Sequence, residues 1–308
     1  MSMFQGLLSV KKALSTLNPK QVREMSERPV RVALNAASPE GYQHMENFFL
    51  RDLSPSRRRE SSYLLTRGAA MGANYDLVIY DETLPAPPHA LVFEHHRPQH
   101  VVSRILDKHY DLGVPLARSF LPFRRPYIER VVAKTARENA LFSVTTALPD
   151  VIPNIIELPW AVAEFASDTA FLTMNQVRMT FLIGAASDRE VGYMEQKPEI
   201  ATVVGSAFGW RALARQLVGK IPFGGGLIAK AGIAYAGTKV LGLSLDHYYS
   251  IGFTYTRAER DRLYAEAFRQ GKKVAHRILS YLRPDLAARY AAEAAQTVPV
   301  PVLSEAQR

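Results

Sequence analysis

Val30-Arg31-Val32-Ala33-Leu34-Asn35-Ala36-Ala37-Ser38-Pro39-Glu40-Gly41-Tyr42-Gln43 is the stretch on which the fold turns. Val30 to Leu34 is a short β-like apolar run. A loop follows, then a stretch through Met45, Phe48, Phe49 and Leu50 whose spacing suits a helix. Working outward, Tyr75-Asp76-Leu77-Val78-Ile79-Tyr80 reads as the clearest strand and Ala90-Leu91-Val92-Phe93 as another. Pro85, Pro87 and Pro88 bar regular structure between them. The Ser-, Pro- and Arg-rich segment Asp52 to Glu60 reads as loop. Strand, helix and two more apolar strands predict a partly parallel sheet covered by helices.

From Pro98 onward the pattern is helical. Pro115, Pro122, Pro126, Pro149, Pro153, Pro159, Pro198 and Pro222 divide it into separate helices, the last long one running from about Thr256 to Leu282. The expected fold class is α+β/α, a small degenerate Rossmann-like α/β unit followed by a larger all-helical domain. The expected divisions are an amphipathic N-terminal helix over 1–28, the α/β unit over 29–97, the helical domain over 98–295 and a disordered tail over 296–308. In the first segment Phe4, Leu7, Leu8, Leu14 and Leu17 recur at helical spacing with Lys11 and Lys12 between them. That pattern suits a helix docked on the core, or one lying on an anionic membrane surface.

The opening stretch resembles the first strand and phosphate loop of P-loop GTPases. Such a loop needs G-x-x-x-x-G-K-[ST]: glycines for close backbone approach, Lys for the phosphates, a hydroxyl for magnesium. Ala36 stands at the first glycine and Gly41 keeps the second, but Tyr42 replaces the Lys and Gln43 the Ser or Thr. Phosphate charge would go uncompensated and the metal would lose a ligand. Glu40 adds repulsion, and Glu94, His95 and His96 stand where a base-reading N-K-x-D would follow a strand. The resemblance therefore implies a degenerate unit without nucleotide hydrolysis; a nucleotide-binding enzyme with an unusual phosphate loop is the alternative.

Three stretches carry a second resemblance: Arg137 to Pro149, Leu172 to Met179, and Phe208 to Gly242 with its Lys220-Ile-Pro-Phe-Gly-Gly-Gly226. Over about residues 115–255 they look like the YcjF-like domain, which has no known activity and occurs alone, behind GTPase domains and in proteins with membrane segments. The resemblance implies a non-enzymatic module working with a membrane surface, a protein partner or itself. Read physically, Gly224, Gly225 and Gly226 form a loop before a helix. Gly232, Ala236, Gly237 and Gly242 then supply small residues that let another helix approach closely. Asn175 and Arg178 lie among apolar residues, and Glu164 and Asp168, four apart, are the expected carboxylate partners of a buried polar network.

The chain has no cysteine, which removes disulfides, thiolate metal sites and cysteine nucleophiles and agrees with a cytoplasmic setting. Its longest uncharged runs, Asn139 to Pro149 and Ile200 to Trp210, fall short of the roughly 18–20 residues of a spanning helix. The small-residue hairpins leave peripheral or integral attachment at an inner membrane as the alternative. The formal net charge is +9. Residues 141–200 are acidic between basic flanks, which ion pairs within the chain can satisfy, so nucleic acid is not an expected partner. His89, His95, His96, His100 and His109 are read as solvated loop residues; no metal and no cofactor is expected.

Overall fold

The computed structural model describes residues 3–70, 73–148, 168–206 and 226–295. Glu164, Gly224, Gly225 and the 296–308 tail lie outside the described residues. The architecture is α+β/α, with a small four-stranded sheet in the N-terminal region followed by helices. The chain divides into two compact units. One holds Lys20–Arg130 with Gly184–Val191; the other holds Met1–Pro19, Val131–Ile183 and Gly192–Arg308.

In the α/β unit, β1 (Val32–Asn35), β2 (Leu65–Arg67), β3 (Leu77–Asp81) and β4 (Leu91–Phe93) form an all-parallel sheet in the order β2-β1-β3-β4. Val32 faces Leu65 on one side and Leu77 on the other, and Ile79 faces Leu91. Val32, Ala33 and Leu34 are all fully buried, as a central strand covered on both faces requires. The helices of this unit include α2 (Pro19–Glu27), α3 (Pro39–Phe49), α4 (Pro55–Ser62), α5 (Gln99–Lys108) and α6 (Gly113–Ser119), with α1 (Met3–Leu14) belonging to the other unit. Met45, Phe48 and Phe49 of α3 are buried. Phe49 packs edge-on to Phe120, ring centroids 5.3 Å apart.

The elements depart from the expectations at five points. Asp52 to Glu60 is not all loop: Ser54 caps α4 and Pro55 sits at its first position, where a missing N–H costs nothing. Leu65–Arg67 adds a strand that apolar patterning did not reveal, and the sheet is parallel throughout. The α/β unit does not stop at residue 97, because α5, α6 and the start of α7 (Leu121–Thr145) pack into it. Val101, Val102, Ile105, Leu116, Phe120 and Phe123 are buried there. Pro126 does not divide the helices but lies inside α7. N-terminal residues expected as one helix over 1–28 form two, α1 and α2.

The helical unit is built on α7, α8 (Asp168–Ala186), helical residues 197–206, α9 (Gly226–Ile251), α10 (Arg257–Leu282) and α11 (Pro284–Ala295). Val10 and Ala13 of α1 are buried against Phe142, Ala170, Phe171 and Met174, and the Phe142 and Phe171 rings stack at 4.0 Å. Gly252, with φ 81°, closes α9, its N–H donating to the Tyr248 carbonyl. Thr256 and Glu259 then cap α10 reciprocally. The short connection turns α10 back along α9. A β-carbon on Gly271 would lie 2.9 Å from the Gly232 carbonyl oxygen, so two backbones meet at this crossing. No described helix is long and apolar enough to cross a membrane.

The Gly232–Gly271 contact has no side chain that can give way. Gly271→Ala gains helix propensity on α10, yet it is expected to destabilise the protein by about 1–3 kcal/mol through overpacking. Urea denaturation of the two proteins measures the difference.

Candidate functional site

In an open parallel sheet, ligand crevices form beyond the carboxyl ends of the strands where the strand order reverses. Here that point lies between β1 and β3. A crevice of about 480 Å³ opens there, lined by Asn35, Ala36, Arg67, Gly68, Tyr80, Leu84 and Pro85. Asn35 Oδ1 accepts the Ala69 N–H at 2.8 Å, which fixes one wall.

The position of the phosphate loop is occupied differently. Only Ala36, Ala37 and Ser38 separate β1 from α3. Ser38 is the N-cap; its Oγ accepts the Gly41 N–H at 3.1 Å and its carbonyl accepts the Tyr42 N–H. Gly41, Tyr42 and Gln43 therefore lie within the helix rather than in a cradle. Tyr42 Oη donates to Glu46 Oε1, and the Arg67 guanidinium lies 5.8 Å from the Tyr42 ring centre. Burial, with Glu46 beside it, pushes the Tyr42 phenol up. A backbone hydrogen bond and the Ser38 hydroxyl hold the exposed Glu40 carboxyl below its ordinary value.

Beside this turn lies a constellation that patterning missed. Asp81 ends β3 with its side chain buried. Its Oδ1 accepts the Thr83 N–H at 2.9 Å and the Thr83 hydroxyl at 2.6 Å; its Oδ2 is 2.7 Å from His95 Nε2. His95 Nδ1 is in turn 2.6 Å from His44 Nδ1, on the exposed side of α3. A β-carbon on Gly41 would lie 3.2 Å from Asp81 Oδ2, so the carboxylate rests against the first turn of α3. Burial pushes the Asp81 carboxyl up, but the bonds from Thr83 and His95 outweigh it and leave the carboxyl below its ordinary value. Of the histidines read as solvated, His95 is thus ordered and part-buried, whereas His96 and His100 stay exposed. Among the described residues no group of three His, Asp or Glu is placed to hold a metal ion.

The helical unit holds a polar network of its own. Asn139 Nδ2 donates to Thr238 Oγ1 at 2.8 Å, as does Gln176 Nε2 at 3.0 Å, while Thr238 donates to the Ala234 carbonyl. Asn175 Nδ2 donates to Asn139 Oδ1 and Glu138 Oε2. Asn175, Gln176, Asn139 and Thr238 are all buried, tying α7, α8 and α9 together. Arg178 is half-buried on α8, and Asp168 begins that helix. Gly226, Gly232, Ala236, Gly237 and Gly242 are buried along α9. A β-carbon on Gly242 would collide with Val132, and one on Gly232 would press on Phe268 and Lys272.

Asp81→Asn removes the charge that Thr83 and His95 answer and is expected to cost about 1–3 kcal/mol at neutral pH. Because the folded-state pKa of Asp81 is depressed, the wild-type advantage is present above the unfolded carboxyl value and vanishes as pH falls through the folded one. Denaturant titrations of both proteins across the acid range test this.

Compared with known protein families, curated proteins and solved structures, the chain matches none.

Proposed function

We propose that this chain is a non-enzymatic interaction protein that docks on an anionic membrane surface, and that, as its YcjF-like resemblance implies, it serves a GTPase-linked system. The observation that carries the non-enzymatic reading is the Asp81 carboxylate seated against the first turn of α3. An anion held there repels a phosphate approaching the turn where P-loop proteins bind one, and Ser38 already occupies the N–H of Gly41. Tyr42 and Gln43, built into α3, supply neither the ammonium nor the metal-binding hydroxyl.

The docking reading is supported by the tip between α9 and α10. Tyr248, Ile251 and Phe253 are 43%, 55% and 73% exposed within six residues of one another. Aromatic and aliphatic side chains at a convex end suit the headgroup region of a bilayer better than water. Behind them α10 carries seven Lys and Arg against three Asp and Glu, in a chain of net charge +9, which complements anionic lipid.

Titration of the protein with GTP and ATP in the presence of magnesium is expected to show no saturable binding up to millimolar nucleotide. Saturation in the micromolar range would restore the nucleotide-enzyme alternative. Flotation with vesicles containing phosphatidylserine is expected to carry the wild type and to lose the Ile251→Asp, Phe253→Asp variant. Equal flotation of the two, or none by the wild type, would move the search to protein partners.

A further inference from the structure

The Asp81–His95–His44 chain can be counted proton by proton. A carboxylate accepts and cannot donate, and Asp81 already takes two bonds from Thr83, so the hydrogen between Asp81 Oδ2 and His95 Nε2 belongs to His95. The two Nδ1 atoms, 2.6 Å apart, need one hydrogen between them and have no room for two. With both rings neutral, His95 Nδ1 is therefore bare, His44 Nδ1 carries the hydrogen and His44 Nε2 is an unprotonated atom on the exposed side of α3. One further proton fits on His44 Nε2 and strengthens the bond by charge. A second makes both rings imidazolium, with two N–H groups pointing at each other.

We infer that the two histidines form a proton-operated latch between α3 and the end of β4, closed with up to one added proton and forced open by the second. The latch completes a ring: Asp81 at the end of β3, His95 after β4, His44 on α3, and the first turn of α3 back against Asp81. Other charges near it are turned elsewhere. Glu82 meets the His95 backbone N–H and lies 3.8 Å from His96, Glu46 and Arg67 are engaged with Tyr42, and Glu94 pairs with Arg97 and His100. None of these contacts supplies either imidazole ring with a second carboxylate, and Phe93 packs edge-on against both rings. On opening, His95 keeps Asp81, while His44, already exposed, turns to water and the second turn of α3 loses its tie to the segment after β4. This inference stands apart from the membrane reading, since it concerns the other unit.

The test uses the full chain labelled with ¹⁵N-histidine. Long-range proton–nitrogen spectra at neutral pH are expected to show His44 with hydrogen on Nδ1 and His95 with hydrogen on Nε2; free histidine favours Nε2 for both. On acidification, the cross-relaxation between the two rings should disappear as the second ring becomes imidazolium, and the amides of α3 around His44 should lose hydrogen-exchange protection after correction for pH. His44→Asn, at an exposed position, should fold normally and show no acid step in that protection. His44 carrying its hydrogen on Nε2 at neutral pH would overturn the inference. So would ring proximity persisting with both rings doubly protonated, or an acid step unchanged in His44→Asn.

Discussion

A carboxylate shut away from water must be met by donors, and at Asp81 they come from two places in the chain. Thr83 supplies two from the turn after β3, and His95 a third from beyond β4. Because these bonds hold only if the strand ends stand at the observed register, the charge and the sheet specify one another. Electrostatics then decides what the edge of the sheet can accommodate. The first turn of α3 has the Asp81 carboxylate against it, and the helix begins with the Ser38 cap. The crevice beside it, lined by Asn35, Arg67 and Tyr80 among others, lies where ligands bind in open parallel sheets.

The helical unit is organised by closeness. Gly232 and Gly271 bring α9 and α10 to backbone contact, and Gly242 leaves room on α9 for the Val132 side chain of α7. Helices this near leave little room for large side chains between them, so register is set by a short-range polar device. Thr238 receives two amide donors and passes its own hydrogen to Ala234. A slip of α9 by one residue would strand Asn139 and Gln176 with buried, unmet amide hydrogens, each costing about 1–3 kcal/mol.

Much of this was legible in the amino acids. The apolar runs of β1, β3 and β4 and the long α10 with its Thr256 cap carry period and punctuation, and both survive in the folded chain. What was not legible had one of two physical origins. A Ser-, Pro- and Arg-rich segment reads as loop and Pro126 as a breaker, yet Pro55 at the first position of α4 loses nothing, and inside α7 tertiary packing overrides the cost of Pro126. The site depended on distance along the chain: His44 and His95 are 51 residues apart, and Asp81 and His95 are 14 apart, so spacing carried no trace of their meeting. A clue was present in Asp81 itself, a charged residue closing an apolar strand at an inward-facing position. Asn175 stands out in the sequence as a polar residue among apolar ones, but its partners on α7, Asn139 and Glu138, lie 36 and 37 residues away.

The division of the chain has a consequence for its synthesis. Val10 and Ala13 precede residues 20–130 of the α/β unit, yet the residues that cover them, Phe142, Phe171 and Met174, follow that stretch. During translation residues 20–130 emerge while Val10 and Ala13 of α1 still lack the side chains that bury them. Completing the helical unit therefore requires pairing α1 with α7 and α8, which follow it at long separation along the chain. Contacts of such long sequence separation are slow to form, and they make the amino-terminal helix the natural last piece in the assembly of the protein.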